Sequence, residues 1–234
     1  MIYFDSAATT LQKPPSVSRA VARAMTQLAS FGRGSSRASS AAAELLYSCR
    51  EEAAALFGVS EPERVAFTFN ATHSLNIAIK SLIKSRSRVL ISGYEHNAVT
   101  RPLAAIAGVQ LRVVDTPLFQ PEAFLLQVEK ELRAGVDAMV CSHISNVFGY
   151  ILPIEEIAKA CARWRVPLIV DASQSAGVLP VHLEKLHSNA GAQGFVRPPG
   201  DRTAPLRRRS AHNAFAVWRH RRRVSAVHHA GNPP

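Results

Sequence analysis

The sequence predicts an α/β fold, a mostly parallel sheet flanked by helices on both faces. Two observations predict it. Short apolar runs rich in β-formers alternate with segments of helical period from the start of the chain to about residue 187. Several of those runs, such as RVLIS, AMVCS and PLIV, are almost wholly apolar, as strands covered on both faces are.

In chain order, residues 16–29 place Val17, Val21, Met25 and Leu28 on one helical face just after Pro14 and Pro15. A second helix runs through AAAELLYSCREEAAALFG and stops at Gly58, a suitable C-terminal residue. VAFTF (65–69) reads as a strand, NATH as a turn, and SLNIAIKSLI as a helix. Further strands are expected at 88–92, 109–114, 138–142 and 167–170, with helices at 121–133 and 153–164. No run of eighteen apolar residues predicts a membrane span, and MIYFDSAATT lacks the basic start and apolar stretch of a secretory signal. A cytoplasmic protein is expected, with Cys49, Cys141 and Cys161 as buried thiols. No metal site is expected.

The net charge of +11 is unevenly divided. Residues 1–187 carry 19 Lys and Arg against 16 Asp and Glu; residues 188–234 carry nine Arg against Asp201 alone. The chain is therefore read as a large α/β domain over 1–187 and a basic, disordered tail over 188–234. The tail's arginine runs suit nonspecific phosphate binding, but the body gives no reason to expect nucleic acid.

In parallel sheets ligands gather at the carboxyl ends of strands, and four polar motifs fall there. Asn70-Ala71-Thr72-His73 opens a helix, whose free N–H groups and Thr hydroxyl suit a phosphate. Tyr94-Glu95-His96-Asn97 offers an imidazole. His143-Ile144-Ser145-Asn146, closed by Gly149, offers an amide. Asp171-Ala172-Ser173-Gln174 puts a carboxylate at the end of a buried strand, where it needs a cationic or hydrogen-bonding partner. One ligand would use all four motifs: a phosphorylated aromatic nitrogen heterocycle. Thr72 would serve the phosphate, His96 would stack on the ring, and Asp171 would keep the ring nitrogen protonated. Asn146 and Gln174 would bind a ring hydroxyl. Pyridoxal 5'-phosphate (PLP) fits that description.

The chain also resembles the cysteine desulfurase branch of the class V aminotransferases, PLP enzymes of fold type I. The resemblance is carried by IYFDSAATT, PERVAFTFNATHSLNIAIKSL, SGYEHNAVTRPL and SHISNVFGYILPIEEIAKACARWRVPLIVDASQSAGVLPV. It implies a phosphate turn at Ala71 and Thr72 and a ring-stacking His96 that could also act as acid or base. It implies contacts of Asn146 and Gln174 to the ring hydroxyl and substrate, and a ring-nitrogen partner at Asp171. It further implies a cysteine or selenocysteine substrate, alanine and an enzyme persulfide as products, and a homodimer.

Two expected family features are missing from the sequence. No lysine stands in the Gly-His-Lys or Ser-His-Lys context that carries the Schiff-base lysine: the six are Lys13, Lys80, Lys84, Lys130, Lys159 and Lys185. The C-terminal domain that supplies the sulfur-accepting cysteine and an arginine for the substrate carboxylate is also not expected here, so the chain reads as truncated and inactive. In place of the lysine motif stands GAQGFVRPPGDR (191–202). Read one base later, codons for those residues permit GHKGLYGPQGTG, the family's motif. A shifted reading frame is the expectation that follows, with the arginine-rich tail its product. Two rivals are an intact enzyme, such as a selenocysteine lyase, using another lysine (Lys185 first), and a nucleic-acid binder acting through the tail.

Overall fold

The computed structural model describes residues 2–3, 11–183, 186, 192–195 and 214–218. The DSAATT motif, Lys185 and most of the stretch from 188 onward lie outside the described residues.

After helices α1 (Pro15–Gln27) and α2 (Arg37–Phe57), strands and helices alternate. They are β1 (Val65–Thr68), α3 (Ala71–Leu82), β2 (Arg88–Ser92), α4 (Asn97–Ala104), β3 (Gln110–Val114), α5 (Pro121–Ala134), β4 (Ala138–Ser142), α6 (Ile154–Arg163) and β5 (Leu168–Asp171). Strands β6 (Ala192–Phe195) and β7 (Ala214–Trp218) follow, within the stretch read as a tail. The central sheet has the order β3-β2-β4-β5 and is parallel throughout. Strand β7 pairs antiparallel with both β1 and β6, and β6 lies alongside β5.

The pleat sorts the strand side chains onto two faces. Val89, Ile91, Val140 and Ile169 meet Leu75 and Ile79 of α3 and Val99 and Leu103 of α4. Leu90, Met139, Cys141 and Val170 meet Phe57 of α2, Phe124 and Leu132 of α5 and Ile157 of α6. Helices on both faces explain why β4 and β5 are buried at every position and why their sequences are apolar rather than alternating.

Some local features differ from expectation. Helix α3 starts at Ala71, so Thr72 is inside its first turn, and Asn70 is the cap whose side chain accepts from the His73 N–H at 2.9 Å. Helix α4 was not anticipated: Pro102 lies inside its eight residues, which reads in sequence as a break. On α1 only Val17 is fully buried, while Val21 and Met25 are 54% and 81% exposed. Gly58 ends α2 in the left-handed region (φ 59°), as expected.

Candidate active site at the carboxyl edge of the sheet

The parallel register sets Ser142, the last residue of β4, opposite Asp171, the last residue of β5. Both continue the face that carries Val140 and Ile169, beneath α3 and α4. Asp171 is 6% exposed. Its Oδ1 accepts from the Ser173 N–H at 2.9 Å and from the Ser173 hydroxyl. Its Oδ2 makes no hydrogen bond among the described residues, so one oxygen of a positioned carboxylate is left for a cationic guest.

Glu95 meets this edge from the other side. Its Oε1 accepts from the Ser142 N–H at 2.8 Å and from the Ser92 hydroxyl, and its Oε2 accepts from the Ser142 hydroxyl at 2.8 Å. Burial pushes the Glu95 carboxyl up to about 7; the three donors oppose that rise, and the negative charge of Asp171 adds to it. Reading the sequence did not single out Glu95. The available signal was a carboxylate one residue before His96, with serines ending both apolar runs.

His96 caps α4: its Nδ1 accepts from the Ala98 N–H at 3.1 Å, which places the ring proton of the neutral form on Nε2. The imidazole is exposed. At the head of α3, the Asn70 cap engages the His73 N–H and leaves those of Ala71 and Thr72 without helical partners. The exposed Thr72 side chain stands beside them. Thr68 and Ser74 share a 2.7 Å hydroxyl contact that ties β1 to this first turn.

Asn146 lies exposed in the turn after β4, where the Ser145 N–H bonds the Tyr150 carbonyl and the Gly149 N–H the Ser145 carbonyl. Gly149 has φ 65°, which glycine adopts without strain. The Tyr94 ring packs edge-on against Phe148 and Tyr150, at 6.2 and 5.4 Å, and so joins the His96 loop to the Asn146 turn. Gln174 is half-buried in the turn that follows β5, three residues after Asp171. The structure thus brings Asp171 and the loop carrying His96 to one edge through Glu95 and Ser142. It places Ala71 and Thr72 at the head of the helix packed on the same face, and Asn146 and Gln174 in the turns that leave that edge.

Three buried titratable groups lie near this edge. His143 alternates to the opposite face, is 6% exposed, and has no hydrogen-bond partner at Nδ1; burial holds its imidazole down at about 4. Burial also pushes the Cys161 thiol up to about 12 and Cys141 well above its ordinary value, so neither is a thiolate near neutral pH.

The aminotransferase class-V family model matches residues 2–200, most of the chain and all four strand-end motifs. The chain belongs to the aminotransferase class-V family. Among curated relatives, a probable cysteine desulfurase of Pyrococcus abyssi is 28% identical over 86% of this chain and 52% of its own length. The cysteine desulfurase IscS of Shewanella loihica is 32% identical over 79% of this chain and 47% of its own. The apo cysteine desulfurase of Thermococcus onnurineus superposes with a TM-score of 0.79 at 26% identity, over 93% of this chain and 53% of that one. The chain therefore spans about half the length of these relatives. The rival readings, a selenocysteine lyase using another lysine and a tail-borne nucleic-acid binder, find no favour among them.

Class V aminotransferases and cysteine desulfurases are PLP-dependent. The donor set of this family member fits the cofactor. Among the described residues Oδ2 of Asp171 has no partner, which suits a protonated ring nitrogen, and the N–H groups of Ala71 and Thr72 lack helical partners, which suits a phosphate. The exposed His96 ring suits an aromatic face.

Proposed function

We propose that residues 1–187 are the cofactor-cradling part of a cysteine desulfurase, and that this chain takes PLP without a covalent lysine. The observation that carries the reading is Asp171. It is a buried carboxylate at a strand end, held by Ser173 through one oxygen while the other has no partner among the described residues. In an uncommitted fold such a group is costly; opposite a protonated ring nitrogen it is matched.

When bound, PLP supplies an electron sink for chemistry at the substrate's α-carbon. The chain's own residues do the rest. Ala71 and Thr72 would hold the phosphate at the positive end of α3, His96 would stack on the ring, and Asp171 would keep the ring nitrogen protonated. Asn146 and Gln174 would hold the ring hydroxyl and orient the substrate. L-cysteine is the substrate we infer, from the relatives' shared designation. A cytoplasmic homodimer is the form in which we expect the site to be complete.

The missing lysine is explained by a shifted frame over 191–202, with residues 188–234 its product. The position of β6 supports this. The codon that would restore lysine spans Gln193 and Gly194, in the strand beside β5, which carries Asp171. Without that amine the cofactor has no covalent anchor and the α-proton no base.

Incubation with PLP and L-cysteine tests the reading. The expected result is a cofactor signal that desalting removes, no mass adduct after borohydride, and no alanine. An adduct on any of the six lysines, with alanine released, would overturn it.

A further inference from the structure

We propose that Glu95 is a positioning residue: its carboxylate spans the crevice between the ends of β2 and β4 and ties the His96 wall of the cofactor cradle to the Asp171 wall. The inference rests on the cofactor reading above for what the cradle holds, but the tie itself is a matter of strand geometry.

In the order β3-β2-β4-β5, the chain leaves β2 for β3 on one side while β4 lies on the other. The two strands therefore diverge at their carboxyl ends, and a crevice opens at this switch in strand order. The ladder records the divergence. Pairing between β2 and β4 runs from Val89↔Ala138 to Ile91↔Val140 and stops, although both strands continue to Ser92 and Ser142. A further rung would have used the Ser142 N–H. Glu95 takes that N–H instead, together with the hydroxyls of Ser142 and Ser92, so one side chain replaces the missing rung and seals its own end to β2.

Both walls hang on this contact. On one side Ser142 is in register with Asp171, and the His143 N–H bonds the Asp171 carbonyl at 2.9 Å, so the placement of Ser142 is the placement of Asp171. On the other side His96 follows Glu95 directly and caps α4, whose Val99 and Leu103 pack on the same sheet face. Freed of Glu95, the Ser142 N–H would lose its partner at the base of the crevice, and among the described residues the loop from Gly93 to His96 would keep the Tyr94 ring contacts on that side. Glutamine keeps an acceptor for the Ser142 N–H and the Ser92 hydroxyl; alanine keeps none.

The full chain is compared with its Glu95→Ala, Glu95→Gln, Ser142→Ala and Asp171→Ala variants by two measurements. One is PLP affinity and the induced circular dichroism of bound PLP. The other, made without cofactor, is the imidazole nitrogen NMR signal of His96, which reports the Nδ1 acceptor bond to Ala98. For Glu95→Ala we expect at least tenfold weaker PLP binding, altered induced dichroism and a His96 signal averaged between tautomers. Glu95→Gln should restore all three, and Ser142→Ala should fall between. Parent-like affinity, dichroism and His96 signal in Glu95→Ala would overturn the proposal; if that variant does not fold, parent-like values in Ser142→Ala would do so. If the parent binds no PLP, or binds it as Asp171→Ala does, the cofactor reading fails, and the His96 signal still decides whether Glu95 holds this wall in place.

Discussion

Glu95 and Ser142, 47 residues apart in sequence, are joined by two 2.8 Å hydrogen bonds, from the serine's N–H and from its hydroxyl. A surface glutamate would give stability as it ionises beside such donors. This residue is half-buried at the sheet edge, and its carboxyl is raised to about 7. The three donors favour the ionised form, but the cost of taking that charge out of water outweighs them.

The sign of the resulting pH dependence follows. A glutamate raised in the folded state holds its proton while the unfolded chain has lost it, so stability falls as pH rises from about 4.5 to about 7. Glu95→Gln removes that loss. We expect denaturant unfolding to show the variant near parental stability at pH 5 and about 2 kcal/mol more stable at pH 8.

His143 should act oppositely over nearly the same range. Its imidazole, held down at about 4 from 6.5, contributes stability above pH 6.5 that is lost as pH falls towards 4. Its Nδ1 makes no hydrogen bond among the described residues, so an apolar replacement sacrifices little. His143→Leu should unfold within about 1 kcal/mol of the parent at pH 8 and resist acid better below pH 6.

Those two residues mark the limit of what the sequence made legible. The strands at 88–92 and 138–142 were readable to the residue, because strands buried on both faces leave unbroken apolar runs. Asp171 was readable because a carboxylate ending such a run demands a partner. Glu95 was not, since nothing local shows that its side chain reaches across to Ser142. Helix α4 was hidden by Pro102, and α3 begins at Ala71 rather than after NATH because the Asn70 side chain caps it. The apolar stripe of α1 was visible as a period, but periodicity does not say whether a face is covered, and Val21 and Met25 are not.

Within the cradle, the two ends of the cofactor should respond unequally. Asp171→Ala leaves a ring cation unpaired in an enclosed site and should weaken PLP binding at least tenfold by fluorescence titration, about 1.4 kcal/mol or more. Thr72→Ala leaves the N–H groups of α3 in place and should weaken it only a few-fold. Equal affinities for the parent and Asp171→Ala would remove the ring-nitrogen assignment.

Gly58 should tolerate no side chain. Its φ of 59° disfavours other residues, and a Cβ there would stand 3.0 Å from Nδ1 of His182, in the segment whose Leu183 N–H bonds the Phe57 carbonyl at 2.8 Å. Gly58→Ala should lower stability by about 1–2 kcal/mol in urea titration, through left-handed strain and the displaced His182.

The frame reading makes a prediction that no point substitution in the present chain imitates. Moving the frame by one base ahead of Ala190 should replace Gly-Ala-Gln with a Gly-His-Lys motif, in the segment that forms β6 beside Asp171 here. A lysine there would stand on the strand next to the one that carries Asp171. The restored chain should stay yellow after desalting, lose the colour to borohydride with a PLP-sized mass increase on that lysine, and release alanine from L-cysteine. The present chain should do none of these, because Lys13, Lys80, Lys84, Lys130 and Lys159 all precede β5 and none lies in a strand-end motif. The comparison separates the cradle from its anchor. PLP held weakly by both chains but covalently by the restored one would support Ala71, Thr72, His96 and Asp171 as the binding surface and the restored lysine as the covalent anchor. Covalent cofactor in the present chain would instead direct attention to Lys185, the one lysine beyond β5, and would end the frameshift account.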